Sequence, residues 1–139
     1  MTEAAMVRTE QGAVSGQAQD GFTVFRGIPY AAPPTGALRW APPQPAAPWS
    51  GVRDATAEPP IAPQNPSRLA AVMGDFAGEQ SEDCLSLTVW RPEPAGAKRP
   101  VLVWIHGGGF TQDGARNYDG TKLAAVSYTH LTLPTILRV

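Results

Sequence analysis

The chain has few residues for cross-linking and no surplus of either charge. Among its 139 residues there is one cysteine, Cys84. An intrachain disulfide is therefore impossible, and a four-cysteine zinc site is excluded. Basic and acidic residues number 11 and 12, for a net charge of −1. That balance gives no global electrostatic case for nucleic acid or for an anionic membrane. No apolar run approaches the roughly 18 residues of a membrane span. The longest, Val101–Ile105, is strand-sized. The start, Met1-Thr-Glu-Ala-Ala-Met6, has neither the basic region nor the apolar core of a secretory signal. The expected location is a reducing cytoplasm. Histidine is scarce too, at His106 and His130.

Glycine (14) and proline (15) are abundant, together about a fifth of the chain against roughly 12% on average. This favours turns and short strands over long helices. Residues 6–17 predict a hairpin with its turn at Gln11-Gly12. Gly21–Arg26 predicts a second strand with one partly polar face. From Pro29 to Pro66 the chain carries eleven prolines, which rule against a regular helix. A solvated linker is one reading of this stretch. Tyr30, Leu38, Trp40 and Trp49 supply too much apolar area for that, so an ordered, irregular coat on a sheet is preferred. Arg68–Met73 predicts one or two helical turns. Cys84–Trp90 alternates, with Leu85, Leu87 and Val89 on the face expected to be buried. Val101–Ile105 reads as a strand covered on both faces, and a helix begins near Leu123–Ala125.

The strand Val101–Ile105 runs into His106-Gly107-Gly108-Gly109-Phe110. Successive glycines reach backbone angles other residues avoid and leave no Cβ in the way. Their amides can then face a cavity, where they stabilise the oxyanion of an acyl transfer. A glycine-rich turn used for packing, or an anion nest, is the bland alternative.

Longer blocks of text carry a resemblance. They are Phe25-Arg-Gly-Ile-Pro-Tyr-Ala31, Pro33-Pro-Thr-Gly-Ala-Leu-Arg-Trp40, Pro48–Thr56, Pro63-Gln64, Ser81-Glu-Asp-Cys-Leu-Ser-Leu-Thr-Val-Trp90 and Pro100–Phe110. In order and spacing the chain resembles the N-terminal part of a type-B carboxylesterase, the family of p-nitrobenzyl esterases and cholinesterases. The likeness covers residues 6–125. It implies an α/β class: an incomplete N-terminal portion of an α/β-hydrolase fold, made of a β-hairpin, mixed sheet strands and a proline-rich coat. It implies a serine-type carboxylic ester hydrolase without a cofactor, acting on a small-molecule carboxylic ester.

Carried over residue by residue, Gly108 and Gly109 are the oxyanion-hole amides and Gly107 shapes the turn. Phe110 lines the acyl pocket. His106 is a structural histidine hydrogen-bonded within the loop, not the catalytic base. Arg39 and Glu82 form a buried structural ion pair, so Arg39→Ala is expected to destabilise the full-length enzyme; two exposed charges are the bland alternative. Many secreted relatives pair the Cys84 position with a cysteine where this chain has Ala62, so Cys84 is expected to be a buried free thiol. Ser86 and Thr88 depart from the family's more usual aromatic residue and Asn. The stretch Arg68–Gln80 offers Phe76 but no tryptophan, which disfavours a choline ester.

The mechanism also needs a serine on a G-x-S-x-G elbow, an acid and a late histidine. None of Ser15, Ser50, Ser67, Ser81, Ser86 and Ser127 has glycine at both −2 and +2. His130 lies in a tail, 126–139, that leaves the family pattern. That tail is read as frameshifted or foreign sequence, the alternative being a strand–turn–strand broken by Pro134. The chain alone is expected to be inactive, and its bare strand to make it self-associate. A non-catalytic binding or adhesion module on the same scaffold is the second functional reading.

Overall fold

The computed structural model describes residues 5–66, 78–94 and 98–125. The helical turns expected at Arg68–Met73, the side chain of Phe76 and the 126–139 tail lie outside the described residues.

Strand β1 (Ala5–Arg8) pairs antiparallel with β2 (Ala13–Gln19) in the register Ala5↔Gly16 to Arg8↔Ala13. The turn forms where Gln11-Gly12 predicts it. The Thr9 amide donates to the Gly12 carbonyl (2.8 Å), and the Gly12 amide donates to Thr9 Oγ1 (3.2 Å). Gly21, at φ 79°, turns the chain into β3 (Phe22–Pro29), which pairs antiparallel with β2 and is longer than expected. β4 (Val52–Asp54) lies parallel to β2, and β5 (Ser86–Pro92) antiparallel to β3. The result is a five-stranded mixed sheet in the order β1-β2-β3-β5, with β4 on β2. A bulge between Phe25 and Ile28 contains Gly27 at φ 68°.

The core sits on both faces of β3. Val14, Phe25 and Ala55 bury one small cluster, with Ala5, Val7, Ile28 and Trp49 packed against it. On the other face Phe22 and Val24 meet Trp90 and Ala124 of helix α1 (Thr121–Ala125). The helix starts as expected, where the Thr121 amide donates to Asp119 Oδ1 (2.9 Å). Thr23 is buried yet satisfied, because its hydroxyl donates to Glu93 Oε1 at 2.9 Å. So β3 is covered on both faces, against the partly polar face its sequence suggests.

The proline-rich stretch is ordered and irregular, with one 3₁₀ turn at Gly36–Leu38 besides β4. Trp49 ties it down. Its ring packs on the β2 cluster, and its Nε1 donates to the Ala13 carbonyl (2.8 Å). Trp40 does not contribute, being 97% exposed. The composition predicts a packed aromatic at this position, but the flanking chain, with Trp40 at φ 61°, turns the ring outward.

Two further expectations are corrected. In β5 the alternation holds, but Leu87 and Val89 are 38% and 40% exposed while Trp90 packs inward. Periodicity defines two faces and does not say which one a neighbour covers. Here α1 covers the Trp90 face. Val101–Ile105 forms no ladder among the described residues, and its side chains are 55–86% exposed. A buried strand needs hydrogen-bonded neighbours, and this segment has none there. That matches the expectation that its faces are bare in this chain.

Candidate active site

The loop His106–Phe110 owes its shape to Gly108 and Gly109, at φ 103° and 61°. A Cβ on Gly108 would collide with the Gln112 carbonyl oxygen, so the backbone there has no room for any other residue. Gly107 lies outside the positive-φ region and has open space around its Cα. The Gly108 carbonyl closes the turn. It accepts from the Thr111 amide (3.1 Å), the Gln112 amide (3.2 Å) and Thr111 Oγ1 (3.2 Å).

Peptide planarity turns this into an orientation of donors. In a trans peptide the C=O and the following N–H point in opposite directions. The Gly108 carbonyl is held inside the turn, so the Gly109 amide faces out of it. The Gly107 carbonyl is in contact with His106 Nδ1 at 2.9 Å, so the Gly108 amide faces away from that ring. Neither amide has a hydrogen-bond partner among the described residues. Two adjacent N–H groups are thereby free to receive an oxygen, the requirement for stabilising an oxyanion. The ring of His106 thus contacts the backbone of its own loop.

The other predicted residues are less enclosed. Phe110, at φ 61°, is fully exposed. Arg39 and Glu82 do form their ion pair, Nη2 to Oε2, but it is not buried: the side chains are 51% and 42% exposed. The hydrogen bond to Arg39 holds the Glu82 carboxyl below its ordinary range. This pair connects the 3₁₀ turn of the coat to the segment leading into β5 at the surface. Cys84 is a free thiol, half-buried instead of buried. Burial first, then the Asp83 charge, pushes its pKa up.

One residue went unnoticed in the sequence. Asp113, just beyond the loop, gathers three donors at 2.7 Å each: the Gly114 amide and Asn117 Nδ2 on Oδ1, and the Tyr118 hydroxyl on Oδ2. Burial works to raise its pKa, but these bonds and the nearby His106 outweigh it and hold the carboxyl below its ordinary value. The same hydrogen bond raises the pKa of Tyr118. An Asp-Gly pair after a glycine loop is a weak signal, and nothing local points to Gln64, its other partner. No group of three or more His, Cys, Asp or Glu able to hold a metal occurs among the described residues. Nor is any described helix long and apolar enough to cross a membrane.

Comparison with known proteins places this geometry. Mouse (Mus musculus) liver carboxylesterase 1 is 42% identical over 134 residues, covering 86% of this chain and 24% of the mouse protein. Phenmedipham hydrolase of Pseudarthrobacter oxydans is 49% identical over 108 residues, 75% of this chain and 22% of its own length. The chain thus spans about a quarter of the length of these relatives. Among solved structures, a PNB esterase superposes with TM-score 0.81 at 41% identity, over 89% of this chain and 26% of its own. A carboxylesterase of Geobacillus stearothermophilus gives TM-score 0.71 at 40% identity, over 86% and 23%. The mixed sheet is accordingly part of an α/β-hydrolase fold. A family model described as the carboxylesterase family matches residues 3–131, and the chain belongs to that family.

Proposed function

We propose that this chain is the N-terminal portion of a serine-type carboxylic ester hydrolase and supplies its oxyanion donors, the amides of Gly108 and Gly109. The observation that carries the reading is the turn itself. The Gly108 carbonyl is held by Thr111 and Gln112 and the Gly107 carbonyl lies against the His106 ring, so the Gly109 amide points out of the turn and the Gly108 amide away from that ring. Donors fixed before reaction need no reorganisation when charge develops on the carbonyl oxygen. The substrate class is a small-molecule carboxylic ester, with Phe110 facing its acyl group once the rest of the enzyme closes over the loop.

No serine of this chain stands on a G-x-S-x-G elbow. On this reading the nucleophile, acid and base come from sequence beyond it, and the chain alone is inactive. The chain should not raise p-nitrophenyl acetate hydrolysis above the buffer rate, whereas the complete enzyme should. A chain that turned over this ester, with loss of activity on serine-directed phosphonylation, would refute the assignment.

A further inference from the structure

Asp113 is gripped from two sides. Its amide donates to Gln64 Oε1 (2.7 Å), and its carbonyl accepts from Gln64 Nε2 (3.0 Å), so one side chain holds one residue's backbone in both directions. Gln64 is itself held, its amide donating to Gln80 Oε1 at 2.9 Å. Aiming the Asp113 amide at Gln64 turns the Gln112 carbonyl the opposite way. That carbonyl is the group lodged against Gly108. The Gln64 grip therefore reaches the Gly108 backbone through one peptide plane.

The carboxylate adds a second link. Through the Tyr118 hydroxyl it reaches the near side of the loop, where Tyr118 lies close to the Gly107 amide and its ring stands 5.4 Å from Trp104. Asp113 sits at φ 86°, a conformation an aspartate seldom adopts. Five hydrogen bonds from three partners and its own neighbour over-determine it there.

We propose that Asp113 is a positioning residue for the ester hydrolysis proposed above. With Gln64 and Tyr118 it fixes the exit of the glycine loop, and so holds the Gly108 and Gly109 amides where the oxyanion forms. This rests on the esterase reading and goes beyond it.

The test uses the complete enzyme, with p-nitrophenyl acetate as substrate and a trifluoromethyl ketone as mimic of the tetrahedral intermediate. Asp113→Gly suits the backbone angle and removes the side chain with its carboxylate. It should lower kcat about tenfold, less than the 10²–10³ of a deleted oxyanion donor. KM should stay within about twofold, and ketone affinity should fall in parallel with kcat/KM. Asp113→Asn, which keeps an acceptor for the Gly114 amide, should recover most of the loss. Tyr118→Phe, removing one bond of the three, should lower kcat about threefold and serves should Asp113→Gly not fold. Unchanged kcat and ketone affinity in variants that melt normally overturn the proposal. An unmodified enzyme without ester hydrolysis overturns the underlying reading instead, and its own rate tells the two failures apart.

Discussion

At the residue scale, Gly108 and Asp113 differ in how far their roles can be read locally. Glycine at 108 answers a steric demand set within four residues, so the run of glycines announces itself in the sequence. Asp113 depends on Gln64, 49 positions earlier, and no spacing rule joins them. The charged residues make a pH prediction. Hydrogen bonds hold the Asp113 and Glu82 carboxyls low in the folded chain. A lowered folded pKa means the stabilisation is present above the unfolded value of about 4 and is lost as pH falls through the folded one. Asp113→Asn and Glu82→Gln should each flatten the fall in melting temperature below about pH 4. Equal slopes for both variants and the parent would count against the two networks. The exposure of Arg39 also revises the expected effect of its loss in this chain. An exposed pair is weak and salt-screened. Arg39→Ala should shift the melt only slightly at low salt and not at all in high salt, and a large salt-independent loss would point to a buried pair.

At the element scale the strands were legible and their covering was not. Period-two patterns mark β1, β2, β3 and β5, but in β5 Leu87 and Val89 are the more exposed set, while α1 packs on Trp90 of the opposite face. The coat was legible through proline, though its attachment rests on Trp49 alone of the two tryptophans. Gly12 is the socket for that ring, since a Cβ there would overlap the indole. Gly12→Ala should destabilise by about 1–3 kcal/mol through overpacking. Trp49→Ala, at a site only partly buried, should cost about 2–4 kcal/mol, near the lower part of the range for large aromatics. Because one cause underlies both, Gly12→Ala should cost little once Trp49 is alanine. Urea melts of the four proteins in that cycle check it, and strict additivity would show that the two sites are independent.

At the scale of the whole molecule, the chain spans about a quarter of its relatives' length and leaves Val101–Ile105 bare. An apolar segment with no ladder partner among the described residues is prone to pair with another chain. The isolated chain should sediment as oligomers, and Val103→Lys should shift it towards monomer. Sedimentation as a monomer would contradict this. The sequence already disclosed the missing serine elbow and the family. It did not disclose that the His106–Phe110 loop is braced by hydrogen bonds within 106–118 and by Gln64 acting on Asp113.

The most direct measurement is the steady-state rate of the complete enzyme carrying Gly109→Ala, a position with no neighbour for the added Cβ to strike. Alanine disfavours the observed φ of 61° and should turn the Gly109 amide aside. If the Gly108 and Gly109 amides hold the oxyanion, kcat for p-nitrophenyl acetate falls roughly 10²–10³-fold with little change in KM. A variant that folds normally and keeps its kcat would contradict the account.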